Sequence, residues 1–230
     1  MRAIGILGGM SWESSAQYYT LINRDVRERC GGIASAPLLM HSFDFAEIAR
    51  LQADNQWERL GTLLGEAAAG LERAGAEAIL IATNTMHLVA PQVEATITVP
   101  LLHIADPLAK AVGEAGHSHI GLLATRFIME QPFYTGRLKD AGVATIIPED
   151  AERVELHRII FDELCAGIIS ESSRLFATEL IESLERRGAS AIALACTELM
   201  LLIEPQHSAL PLFDTTALHC EAAVDFILAV

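Results

Sequence analysis

Two related lobes, each a parallel α/β sandwich, are the architecture predicted for this 230-residue chain, on three observations. The first is an internal repeat: residues 71–79 and 184–192 are identical at seven of nine positions, both opening Leu-Glu-Arg and closing Ala-Ile. That alignment runs on through Ala82 and Ala195 to Thr83 and Cys196, an offset of 113. Ile4-Gly5-Ile6-Leu7 likewise matches Ile120-Gly121-Leu122-Leu123 at an offset of 116, and Pro100-Leu101-Leu102 matches Pro211-Leu212-Phe213 at 111. The order is kept and the offset barely drifts, which marks two copies of one unit. The second observation is the alternation of short unbroken apolar runs with longer helical patterns, the signature of parallel strands covered on both faces. The third is a composition that is 51% hydrophobic and 20% charged, enough to build a core in each half.

In chain order, the runs at 3–7, 37–43, 77–82 and 99–104 read as strands of the first copy. Those at 119–124, 143–147, 190–195 and 209–213 read as strands of the second. Leu60, Leu63, Leu64, Ala67, Ala68, Leu71 and Ala74 recur at helical spacing, as do Phe176, Leu180, Ile181 and Leu184. Gly75 and Gly188 follow these helices where a C-terminal cap belongs. No Gly/Ser/Pro-rich linker separates the halves, and the helical pattern at about 216–230 most simply returns to the first lobe. The first lobe is therefore expected to hold 1–98 plus 214–230 and the second 99–213, with the active site in the cleft between them.

A formal net charge of −14 argues against non-specific binding to nucleic acid or an anionic membrane, which need a positive surface. The apolar stretch near the start is short and broken by Gly8-Gly9, unlike a signal peptide, and no apolar run has the length of a membrane span. A cytoplasmic location is the expectation. Cys30, Cys165, Cys196 and Cys220 are scattered and contain no Cys-x-x-Cys pair, so free thiols are expected.

Parallel α/β sheets bind ligands beyond the carboxyl ends of their strands. Three such ends carry suitable residues: Gly8-Gly9-Met10-Ser11, Thr83-Asn84-Thr85 and Cys196-Thr197-Glu198. Two glycines would let the backbone approach a ligand, or serve packing alone, and Ser11 could cap the next helix. Strand-end Thr and Asn are also common helix caps, and a strand-end Cys is commonly a buried small hydrophobe. The repeat tips the balance, because Thr83 and Cys196 are equivalent positions. Facing each other across one cleft, they would suit racemisation, in which one group removes a proton from a carbon and another returns it to the opposite face. A thiol at a helix N-terminus is expected to ionise readily, which would make Cys196 a thiolate base. His87, one turn beyond Thr83, is either a support for the site or a packing residue. The G-x-G-x-x-G and P-loop spacings are absent, and His117-x-His119 is expected to be exposed rather than metal-bound.

The motifs Ile4-Gly5-Ile6-Leu7-Gly8-Gly9-Met10, Thr83-Asn84-Thr85-Met86-His87 and Ala195-Cys196-Thr197-Glu198 resemble those of the aspartate/glutamate racemase superfamily over the full length. The resemblance implies two pseudo-symmetric α/β lobes, no pyridoxal phosphate or metal, an amino-acid substrate and a homodimer. It implies Cys196 and Thr83 as the acid/base pair, Asn84, Thr85 and Thr197 as donors to the substrate carboxylate, and Met10 and Gln52 as loop contacts. Ser11, His87, Thr125 and Glu198 would stand behind them. Thr83 stands where the family usually has its first catalytic Cys, which resembles the subgroup acting on L-aspartate and L-glutamate. Basic anchors for a second carboxylate are missing, since Gln52 and Ile168-Ile169-Ser170 occupy those places, and a broader amino-acid range follows. The alternatives are a one-cysteine decarboxylase or isomerase of the same superfamily, and an inactive protein that binds an acidic amino acid.

Overall fold

The computed structural model describes residues 1–229. Along the first half run β1 (Ile4–Gly8), α1 (Trp12–Cys30), β2 (Leu38–Ser42), α2 (Phe45–Ala53), α3 (Trp57–Arg73) and β3 (Ala78–Ile81). A 3-10 turn at Thr85–Val89 then leads into α4 (Ala90–Glu94), followed by β4 (Leu101–Leu102). The second half contains α5 (Ala105–Glu114), β5 (His119–Ala124), α6 (Arg126–Glu130), α7 (Pro132–Asp140), β6 (Ala144–Ile146) and α8 (Asp150–Arg158). It continues with α9 (Glu171–Arg186), β7 (Ala191–Ala195), α10 (Leu199–Leu202), β8 (Leu212–Asp214) and α11 (Thr215–Leu228). All eight expected strands are present. They form two four-stranded sheets ordered β2-β1-β3-β4 and β6-β5-β7-β8, with every pairing parallel. The repeat in the sequence is thus a repeat of topology.

The chain separates into two units, one of residues 1–104 with those from His219 onward, the other of residues 105–218. Both limits lie five or six residues beyond the expected ones. Residues 99–104 stay with the first unit because β4 pairs with β3, Ile79 beside Leu101 and Leu80 beside Leu102. The segment after β8 stays with the second because the Thr215 hydroxyl donates to the Leu194 carbonyl of β7 at 3.1 Å.

In the first unit, alternate strand residues face opposite layers, as a two-sided sheet requires. Leu7, Ile79 and Ile81 pack with α2, α3 and α4 residues such as Leu51, Leu64 and Val93. Ile4, Ile6, Ala78, Leu80 and Ala82 pack on the other side with Tyr18, Ile22 and Val26 of α1 and Cys220, Val224 and Ile227 of α11. The last helix therefore returns to the first unit, where Arg2 N–H also donates to the Ile227 carbonyl at 3.0 Å. In the second unit, β7 is buried at every position from Ala191 to Ala195.

The repeated residues are those that join α3 to β3 and α9 to β7. Gly75 (φ 104°) and Gly188 (φ 101°) take left-handed backbone just after their helices. Ala76 N–H then reaches the Leu71 carbonyl and Ala189 N–H the Leu184 carbonyl, each at 3.0 Å. These bonds close a Schellman turn that aims the chain back along the sheet. The same leucines press on the first strand of each unit. A Cβ on Gly5 would lie 2.7 Å from Ile79 Cδ1 and 3.0 Å from Leu71 Cβ; on Gly121 it would lie 2.6 Å from Ile192 Cδ1 and 2.9 Å from Leu184 Cδ1. Gly5→Ala and Gly121→Ala should each overpack this contact and cost about 1–3 kcal/mol. Guanidinium unfolding midpoints of the two variants should fall relative to the parent, and an unshifted midpoint for either would refute the packing account.

Candidate active site

In the first unit the polar strand ends of β1 and β3 are neighbours, since β1 pairs with β3 and Ala82 N–H donates to the Leu7 carbonyl at 2.9 Å. The Gly8-Gly9 pair serves the chain's own packing. A Cβ on Gly9 (φ 83°) would meet the Phe43 main-chain oxygen at 2.3 Å, and one on Gly8 would meet Ser15 Oγ at 2.6 Å. Ser15 Oγ accepts from Gly9 N–H at 2.7 Å and donates to the Ser11 carbonyl at 3.0 Å, which holds the turn. Ser11 caps α1, its Oγ accepting from Ser14 N–H at 3.3 Å.

Thr83 follows the last sheet bond of β3 and is half-buried, as is Thr85 at the first position of the 3-10 turn, while Asn84 between them is buried. Met10 and Gln52, expected as loop contacts, are both turned inward. Met10 joins the apolar cluster with Leu51 and Met86. Gln52 Nε2 donates to Met86 Sδ at 3.0 Å, which ties the end of α2 to the turn after Thr83. His87 is buried and bonded through both ring nitrogens to main chain, so it supports the Thr83 segment. His103, His219 and Tyr18, which gather beside it, escaped the reading of the sequence; Tyr18 and His219 lie 201 positions apart, and no local spacing connects them.

In the second unit, β5 and β7 are neighbours, and their ends carry Thr125 and Cys196-Thr197-Glu198. Thr125 is buried at the start of α6, its carbonyl accepting from Ile128 N–H at 3.1 Å. Cys196 is 7% exposed, and its thiol donates to Glu198 Oε2 at 3.0 Å. Thr197 Oγ1 donates to the same carboxylate oxygen at 2.7 Å. This corrects the expectation of a ready thiolate. Burial first, and then the charge of Glu198, push the Cys196 thiol well above its ordinary range. The helix that follows is only the four residues Leu199–Leu202, too short to offset them with its dipole. Cys196 therefore rests as a thiol, hydrogen-bonded to the Glu198 carboxylate. The signal in the sequence was Cys-x-Glu; what it lacked was the direction of the Glu198 side chain.

Elsewhere, His117 is half-buried against the Ser190 hydroxyl and His119 is exposed beside Ser118. Among the described residues no group of three or more His, Cys, Asp or Glu is placed to hold a metal ion. The cysteines are free thiols, Cys30 exposed, Cys165 half-buried, and Cys196 and Cys220 buried. No helix among the described residues is long and apolar enough to cross a membrane.

Two parallel sheets of one topology, each with a hydroxyl or thiol just past its third strand, define a doubled α/β protein of the class that binds ligands at its strand ends. The chain belongs to the Asp/Glu/hydantoin racemase family, whose pattern matches residues 7–223. A crystal structure from Yersinia pestis, assigned as an Asp/Glu racemase, is 47% identical with a TM-score of 0.95, covering 100% of both chains. PH1733 from Pyrococcus horikoshii OT3, an aspartate racemase homologue, is 33% identical with a TM-score of 0.87, again over 100% of both chains. The broad specificity amino-acid racemase RacX of Bacillus subtilis (strain 168) is 23% identical over 228 residues, 98% of each chain.

The protonated thiol has a direct test. Alkylation of Cys196, followed by peptide mass spectrometry so that Cys30 and Cys165 are counted apart, should rise with pH only above the range of an ordinary thiol. Glu198→Gln removes the opposing charge and should bring that rise to lower pH. A Glu198→Gln profile unmoved, or moved upward, would show that the carboxylate does not control the thiol.

Proposed function

We propose that this chain is a racemase of L-aspartate and L-glutamate with a broader amino-acid range, moving the α-proton between Cys196 and Thr83 without pyridoxal phosphate or a metal. We further propose that it works as a cytoplasmic homodimer. The observation that carries the reaction is the buried Cys196 thiol held against the Glu198 carboxylate at the end of β7. Thr83 occupies the repeat-equivalent place at the end of β3. Both lysines of the chain, Lys110 and Lys139, are exposed, which leaves no buried amine for a Schiff base with pyridoxal phosphate. The broad specificity of the Bacillus subtilis relative supports the wider range.

In this reading the Cys196 proton passes to Glu198, and the thiolate takes the α-proton of the L-enantiomer. Asn84 and Thr85 donate to the substrate carboxylate, joined by the Thr197 hydroxyl once it turns from the protonated Glu198, and stabilise the charge that grows on it. Met10 and Gln52 shape the loops around the substrate from their buried places. The Thr83 hydroxyl delivers a proton to the opposite face and takes one back from a water molecule, and the proton held by Glu198 neutralises the hydroxide so formed, returning thiol, hydroxyl and carboxylate to their starting states. A hydroxyl ionises far less readily than a thiol, so abstraction from the D-enantiomer, which falls to Thr83, is the slower direction.

Incubation of each enantiomer in D₂O, following α-deuterium and chirality together, tests this. Cys196→Ala should lower α-proton exchange by roughly 10²–10⁴-fold with the fold intact; near-normal exchange would refute the mechanism. Thr83→Cys should raise the initial exchange rate of the D-enantiomer relative to the L-enantiomer. An unchanged ratio in a folded variant would remove Thr83 from the pair.

A further inference from the structure

Behind Thr83 lie His87, His103, His219 and Tyr18, each at most 4% exposed. The His87 ring stands 4.4 Å from that of His103 and 6.0 Å from that of His219, edge-on to both. Their hydrogen bonds determine where the ring protons are. Ile104 N–H can only donate, and it points at His87 Nε2 from 3.2 Å, so Nε2 is bare and the proton sits on Nδ1. That Nδ1–H donates to the Thr83 carbonyl at 2.9 Å and more weakly to the Asn84 carbonyl at 3.3 Å. The Leu102 carbonyl can only accept, so His219 carries its proton on Nε2, 2.7 Å away. Its Nδ1 is hydrogen-bonded to the Tyr18 hydroxyl at 2.9 Å. The His87 imidazole is therefore neutral, with both of its nitrogens committed.

Adding a proton to His87 would turn the Ile104 N–H away and charge a ring buried beside two others. Burial, then His103 and His219, accordingly hold its pKa well below the ordinary histidine range. The bond to Thr83 falls where regular structure offers least. The last sheet bond of β3 is made by Ala82 N–H, and a main-chain bond of the turn runs from His87 N–H to the Asn84 carbonyl. Thr83 sits between them. Its side chain is β-branched and restricted at χ1 by its own backbone, so whatever fixes the Thr83 peptide narrows the directions open to its hydroxyl.

We propose that His87 is a positioning residue: its neutral Nδ1–H, braced from the far side by Ile104, holds the Thr83 carbonyl and thereby aims the Thr83 hydroxyl at the substrate carbon. It carries no proton during turnover. The inference rests on Thr83 being one of the two proton carriers.

The test separates the two ring nitrogens. In His87→Asn the side-chain amide N–H stands near Nδ1 and keeps the bond to Thr83; in His87→Gln the amide reaches toward Nε2 and leaves that bond empty. His87→Gln should slow abstraction from the D-enantiomer roughly 10- to 100-fold in kcat, with KM within about twofold. His87→Asn should recover most of the loss. Exchange of the L-enantiomer with retention, which Cys196 carries alone, should stay within about twofold in both variants, and in a Thr83→Ala background the two variants should be indistinguishable. Nitrogen-15 spectra of labelled histidine should show His87 protonated on Nδ1 alone between about pH 5.5 and 8.5. An equal loss in both directions, a pH profile displaced in His87→Gln, or recovery by Gln and not Asn would each overturn the proposal. If the wild-type chain exchanges no α-proton, the functional reading falls by itself. The Thr83 carbonyl carbon-13 shift then decides the positioning: moved in His87→Gln and restored in His87→Asn, or the positioning falls as well.

Discussion

Leu71 and Leu184 rest on Gly5 and Gly121, and the placement of both chemical strand ends depends on that contact. With a side chain on either glycine, the covering helix would have to lift from its sheet. Because the glycine is bare, α3 and α9 end low, turn through Gly75 and Gly188, and send β3 and β7 directly alongside β1 and β5. Glu77 N–H meets the Ala3 carbonyl and Ser190 N–H meets that of His119, locking the entry of each strand at 2.8 and 2.9 Å. Once the entry is locked, the residue that emerges at the far end is decided by strand length alone. Those residues are Thr83 and Cys196.

A sheet buried on both faces has no room for unpaired polar groups, so polar chemistry is confined to the ends of the strands. The two units then use that position differently. Thr83 is held through its main chain, its carbonyl accepting from the buried His87 ring. Cys196 is held through its own thiol by a carboxylate, whose charge adds to burial in keeping the proton on sulfur. One scaffold thus presents a hydroxyl residue tied by its main chain in one unit and a thiol tied by its side chain in the other.

The glycines at the end of β1 show how far a motif can be read without coordinates. Gly8 and Gly9 are consistent with close approach to a ligand, yet the atoms that exclude a side chain there belong to Phe43 and Ser15. Met10 and Gln52 show the same thing for side chains, since a position on a loop or at a helix end does not say whether the group turns out to solvent or in toward Met86.

Strand and helix identity, the doubling of the fold and the return of the last helix were legible in the sequence, because each rests on periodicity and on glycines recurring at fixed offsets, which are local properties of the chain. So was the equivalence of Thr83 and Cys196. Where the units divide was not, because residues 99–104 are assigned by hydrogen bonds to β3, a partner some twenty positions away. The protonation of Cys196 and the tautomer of His87 were also out of reach. Proximity to a helix start is a feature of sequence, but desolvation, the reach of Glu198 and the Ile104 N–H at the back of the imidazole exist only once the chain has folded. The sequence by itself determined which atoms stand at the strand ends; the tertiary structure decided which of them hold their protons, because acidity is governed by burial and by neighbours brought in from elsewhere in the chain.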